Sequence, residues 1–255
     1  MPIPSLQHLL WRGLWLLAAG LCLLPKPSAA QNVHAVTETS VFVQIIDGKA
    51  AGPATEITEK TLQLAGLKDY HISVYPWARA YEIAQNEPNV LIYLLARTPE
   101  REPLFQWVGE FSQIRYSLYK LRARTEVNGS TMAAARNQTV GVMREDLRHQ
   151  YLRKQGFTRL VVSSVSSENF SQLMNSKVDL IPMSDAGAAN LCREFKVDCN
   201  TVLEKQLTLD DLNIGLYMAY SKGTAPEVVR RTATAFEHLR ANGTVRKLMD
   251  SAPSR

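Results

Sequence analysis

Residues 90–96 form an unbroken apolar run, VLIYLLA, the pattern of a strand covered on both faces in a parallel sheet. Apolar positions around it change between strand and helix periods. Before it, residues 33–36 and 71–75 read as short strands and residues 54–64 as a helix, with Ile57, Thr61 and Leu64 on one inner face. Pro76 suits a first helical position, Trp77 and Tyr81 share a helical face, and Asn86, Pro88 and Asn89 stop that helix. After the apolar run, residues 114–121 alternate as an extended segment. Residues 139–143, 160–163 and 177–183 read as strands, with helices over 145–155, 168–174 and 185–195. The helix over 145–155 carries Glu145 and Asp146 early and Arg153 and Lys154 late, both suited to its dipole. Residues 213–220 form an apolar strand. A helix opens at Pro226 with Val229, Ala233, Phe236 and Leu239 as its stripe, and a short one covers 244–249. The β-α-β alternation predicts an α/β fold, with parallel or mixed sheets flanked by helices.

The first thirty residues stand apart. Arg12 precedes an apolar run over residues 13–24, and Ser28, Ala29 and Ala30 supply small residues for cleavage. This is the pattern of a cleavable secretory signal peptide, too short to span a bilayer. Removing Arg12 and Lys26 lowers the formal charge from +5 to +3. The remaining basic residues are scattered, so no nucleic-acid partner is expected. Composition is that of an ordinary globular chain, 45% hydrophobic and 21% charged. Beyond the leader, Cys192 and Cys199 are separated by six residues, and a close pair in an exported chain predicts a disulfide. His34, His71, His149 and His238 show no metal-ligand spacing, so no metal is expected.

The central run ends in Arg97-Thr98-Pro99-Glu100-Arg101. Ligands of open parallel sheets bind outside the carboxyl ends of the strands, and two guanidiniums there make an anion clamp. The alternative is a surface loop whose arginines pair with Glu100 and Glu102.

PWARAY at residues 76–81, RTPERE at 97–102 and then Phe105-x-Trp107 resemble family 3 of the periplasmic solute-binding proteins. These are the extracytoplasmic receptors of polar amino-acid ABC importers, with the type 2 periplasmic-binding fold. The resemblance covers nearly the whole mature chain and is closest to a branch with P-W-x-R-A and T-x-E-R-x-x-x-F segments. It implies a signal peptide over 1–30, one lobe from 31–119 plus 213–255, and a second from 120–212. A two-strand hinge near 112–121 and 211–214 would join them. A monomer in the periplasm would close on an amino-acid-like ligand and deliver it to an ABC permease, without a cofactor or catalysis. Arg101 matches the arginine that holds the ligand carboxylate, and Arg97 is an additional base. Glu38 matches the cleft acid after the first strand, and Phe42 a ligand-covering aromatic. Trp77 either lines the cleft or packs on Tyr81. Asp185 either receives an ammonium group or caps its helix. The chain departs from the family pattern twice. Tyr93, Leu94 and Ala96 stand where small hydroxyl residues are usual, which makes Tyr93 the ligand-contact candidate of that strand, and Arg144-Glu145-Asp146 replaces a Gly-Ser/Thr pair, so that Arg144 becomes a substitute donor. The competing readings are a dehydratase or lyase on the same fold and a ligand-sensing receptor without a transporter.

Overall fold

The computed structural model describes residues 32–251, and the expected leader lies outside them. Strand β1 (Val33–Thr37) is followed by a small hairpin, β2 (Gln44–Ile46) and β3 (Lys49–Ala51), then by helix α1 (Pro53–Leu64). Strand β4 (Tyr70–Val74), helix α2 (Trp77–Asn86) and strand β5 (Val90–Ala96) come next. A 3-10 turn (Glu102–Leu104) leads into the long strand β6 (Phe105–Leu121). Then follow α3 (Met132–Ala135), β7 (Val140–Met143), α4 (Leu147–Lys154), β8 (Leu160–Ser163), α5 (Ser166–Met174), β9 (Ile181–Met183), α6 (Asp185–Glu194) and α7 (Cys199–Val202). A second long strand, β10 (Leu203–Ser221), and helices α8 (Pro226–Ala241) and α9 (Thr244–Asp250) complete the described chain.

The main sheet has the order β4-β1-β5-β10-β6-β9. Strand β1 is parallel to β4 and β5, whereas β10 is antiparallel to β5 and β6. β7 and β8 pair in parallel as a separate unit. β5 lies inside the sheet with Val90 to Tyr93 buried, as its continuous apolar run predicts. Strands β6 and β10 run beside each other from Phe105–Ser221 to Leu121–Leu203 and pass between two packed halves of the molecule.

In one half α1, α8 and α9 cover one sheet face, with Ile57, Leu91, Met218 and Phe236 in the core. Helix α2 covers the other with Trp77, Ala80, Tyr81 and Ala84. Gly109 on β6 permits this packing, since an added Cβ would stand 2.2 Å from Phe236 Cδ1. The second half packs Leu118, Val140, Leu152 and Leu180 in one cluster and Phe170, Leu173, Leu191 and Leu203 in another.

Three local expectations change. The buried stripe of α8 is Val228, Thr232, Ala235, Phe236 and Leu239, turned by about one residue. Thr232 is tolerated inside because its hydroxyl reaches Val228 O at 2.8 Å and Tyr220 OH at 3.1 Å. On α1, Leu62 is buried and Leu64, at the helix end, is 52% exposed. The strand expected over 177–183 is confined to Ile181–Met183, because Asp179 turns aside to accept hydrogen bonds from Thr139 N and Oγ1 at 2.7 and 2.6 Å.

Cys192 and Cys199 form a disulfide that ties α6 to α7. Closing so short a ring stabilises the fold by about 2.5 kcal/mol on the chain-entropy model. Reduction should therefore lower the urea midpoint. Alkylation without reductant should label neither cysteine, and two labelled thiols by mass spectrometry would refute the pairing.

Candidate functional site

A cavity of about 510 Å³ lies between the two halves, beside the crossing strands. The chain after β1, residues 38–45, forms one wall with Leu94 of β5. Opposite stand Ile114 and Tyr116 of β6, Val142 and Met143 of β7, Arg148 of α4, and residues at the starts of α5 and α6. Leu94 reaches this position through a bulge: Tyr93 pairs with Met218 and Leu95 with Tyr217, leaving Leu94 between them at φ 62°. A leucine in the left-handed region carries roughly 1–2 kcal/mol of strain, which its neighbours must offset. Phe42 and Leu94 both pack against the cores of both halves.

The charges sit at the cleft floor. Asp146 caps α4 by accepting from Arg148 N at 2.8 Å. Its Oδ1 also accepts from Arg148 Nε at 2.5 Å, while Arg148 Nη1 donates to Pro182 O at 3.1 Å. The guanidinium lies 5.1 Å from the Tyr116 ring centre. Burial pushes the Asp146 carboxyl up, but the charge and hydrogen bonds of Arg148 outweigh it and hold it below the ordinary range. Glu38, part-exposed in the cleft wall, has no such partner. Burial, then the charge of Asp146, raises its carboxyl to about 8 against the opposing pull of Arg148 and Arg101. Burial also pushes the Tyr116 phenol up to about 12.

Of the eight residues singled out from sequence, only Glu38 and Phe42 line this cavity. Arg101 is 2% exposed. Its guanidinium lies 4.9 Å from Tyr81 and 5.4 Å from Trp77, and donates to Ala96 O and Glu145 O at 3.2 and 3.4 Å. Trp77 stacks on Tyr81 and donates from Nε1 to the same Glu145 carbonyl at 3.0 Å. Both therefore join the halves instead of facing the cavity. Arg97 is bound twice to Glu102, at 2.7 and 2.8 Å, and leans on Trp107 and Tyr217. That is the loop-pairing alternative, with Glu100 taken instead by Lys154. Tyr93 is fully buried with its hydroxyl 3.0 Å from Thr55 Oγ1. Arg144 faces a separate groove with Pro76, Arg79 and Glu82. Asp185 pairs with Lys205 at 2.5 Å and with the Tyr119 hydroxyl, and Ser184 provides the cap of α6.

Arg148 is the functional candidate that sequence reasoning missed. Glu145 has φ 56° and breaks the helix expected from 145, so α4 begins at Leu147 with Asp146 as its cap. Arg148 then falls in the first turn, where its side chain folds back into the cleft. An Asp-x-Arg segment at a helix start was the available signal.

No protein-family model matches the chain, and no curated protein matches it. Solved structures do. A histidine kinase sensor domain with similarity to periplasmic binding proteins has a TM-score of 0.76 at 14% identity, covering 88% of this chain and 96% of that one. The substrate-binding protein of an amino acid ABC transporter gives 0.74 at 17% identity, over 88% and 100% of the two chains. The arginine-, lysine-, histidine-binding protein ArtJ from Geobacillus stearothermophilus gives 0.73 at 16%, over 88% and 96%. These likenesses span nearly the full length of each relative, and the chain therefore has the two-lobed α/β fold of the periplasmic binding proteins.

Proposed function

We propose that this chain is an extracytoplasmic solute-binding protein that captures a small ligand between its lobes for an ABC importer. The observation that carries this reading is the cavity of about 510 Å³ walled by both halves and flanked by only two long crossing strands. Ligand sites favour such concave positions at domain junctions, and two strands make a hinge about which the lobes close. The segments near 112–121 and 211–214 are its bending points. Glu38 and Phe42 are ligand contacts in this reading, with Arg148 added. The leader expected over residues 1–30 supports export to the periplasm, and the protein acts as a monomer that docks on a permease. No helix among the described residues is long and apolar enough to cross a membrane.

Two of the structural relatives support transport by name, one serving an amino acid ABC transporter and one binding arginine, lysine and histidine. The sensor-domain relative favours a second reading, a ligand-sensing receptor without a transporter. A thermal-shift screen against amino acids, amines and small carboxylates tests binding. A ligand at about a hundred times its dissociation constant should stabilise the mature protein by about 2.7 kcal/mol. Scattering should show compaction at saturation. Failure of every compound to stabilise or compact the protein would exclude both binding readings. Gene deletion then separates them: lost uptake of the ligand marks the importer, and unaltered uptake marks the sensor.

A further inference from the structure

Arg148 is the one lysine or arginine among the described residues that line the cleft. It is already held. Its Nε is on Asp146, its Nη1 is on Pro182 O, and its face is against Tyr116. The two arginines matched to an anion clamp are committed as well, Arg97 to Glu102 and Arg101 to the Trp77–Glu145 contact between the halves. Asp146 and Arg148 cancel, which leaves Glu38 in the wall and Glu194 at the exposed end of α6 as the acids of the cleft lining without a basic partner in it. Among the described residues no hydrogen-bond donor reaches the Glu38 carboxylate. The rest of the wall is mixed: Phe42, Leu94, Ile114, Met143 and Leu216 form an apolar part, and Ser40, Ser166, Asn169, Ser184 and Asn190 a polar, uncharged one.

A ligand carboxylate entering this cleft would lose its water and meet one guanidinium, already neutralised by Asp146 and close to Glu38, which recovers little of the desolvation cost. An ammonium meets the opposite situation, since Glu38 stands without a partner and a cation supplies one. The apolar part of the wall, Phe42, Leu94 and Met143, then covers an apolar body. We propose that the cleft takes an amine with an apolar body and no carboxylate, its ammonium on Glu38 and its body against Phe42, Leu94 and Met143. This rests on the solute-binding reading and narrows its small ligand to an amine.

Proton linkage gives the assignment a pH signature. Glu38 faces Asp146, Arg148 and Arg101, with Tyr116 across the floor, and its carboxyl is raised to about 8. An ammonium binds the ionised form, so binding displaces a proton below that pH. Apparent affinity should weaken roughly tenfold for each pH unit below about 8, while the amine itself stays charged throughout.

The test is calorimetric titration of the mature protein with isoamylamine and 2-phenylethylamine, each against the amino acid with the same body, leucine and phenylalanine. At least one amine should bind ten or more times tighter than its amino acid, with the stated pH dependence. Glu38→Gln should weaken it by tenfold or more, with circular dichroism confirming the fold, and Glu38→Asp should restore part of the loss. Leucine or phenylalanine binding as tightly as the amine overturns the assignment and leaves solute binding standing. An unaltered affinity in Glu38→Gln overturns it too. If neither amine nor amino acid binds, the amine assignment falls, and the wider screen and scattering decide whether solute binding falls with it.

Discussion

Arg101→Ala is expected to cost about 3 kcal/mol of folding stability, read as a drop in the urea midpoint. The resemblance places this arginine on a ligand in an open cleft, where truncation would scarcely affect the fold. The structure places it at 2% exposure between Trp77 and Tyr81. Truncation removes two stacking contacts and two hydrogen bonds, leaves a void, and takes a positive charge from Glu38 and Asp146. Each of these is an established source of multi-kcal losses in buried sites. Arg101→Lys should recover less than half, since an ammonium cannot stack as a plane on two aromatic faces. A stability within about 0.5 kcal/mol of wild type in Arg101→Ala, the range of an ordinary surface substitution, would contradict its interior role.

Arg148→Ala should be comparably severe, about 3–5 kcal/mol near neutral pH, because it strands the buried Asp146 beside Glu38. The pH dependence identifies the cause. In the wild type the Asp146 carboxyl lies below its unfolded value, so its contribution is present above the unfolded value, near 4, and is lost as pH falls through the folded one. Without Arg148 burial dominates and the carboxyl rises, so the variant's deficit should shrink as pH is lowered and Asp146 takes up a proton. Arg148→Ala combined with Asp146→Asn should be more stable than Arg148→Ala alone, as asparagine still caps α4. Glu38 acts in the other direction. Its raised carboxyl costs stability as pH climbs from the unfolded value towards about 8, and Glu38→Gln should flatten that decline. A deficit for Arg148→Ala that is the same at pH 5 and pH 8 would exclude the stranded-charge explanation.

Much of the fold was legible because burial on both faces leaves a plain mark. β5 is a continuous apolar run, and β1, β4, β7 and β8 all fall where short strands were expected. β10 was legible only in its second part. Over 203–212 it mixes Glu204, Lys205, Asp210 and Asp211 with leucines, and its pairing slips between Leu209 and Asn213, so no single period survives. In the site, Glu38 was readable because it closely follows a strand that ends at the cleft. The roles of Trp77 and Arg101 were not. Sequence shows that an aromatic and a guanidinium are present, but which way they face depends on Glu145, sixty-eight residues after Trp77, adopting φ 56° and presenting its carbonyl to both. Arg148 was hidden by the same residue, since the late start of α4 decides where its side chain lies.

The Trp77–Glu145 contact has an optical consequence. An indole buried on one half, with its N–H bonded to a backbone carbonyl of the other, emits from an environment that exists only while the halves touch. Parting them would expose the ring to water and move its fluorescence to the red. Trp107 is the one other tryptophan in the described chain, and in Trp107→Phe protein the emission colour would report opening in real time, with no dye attached.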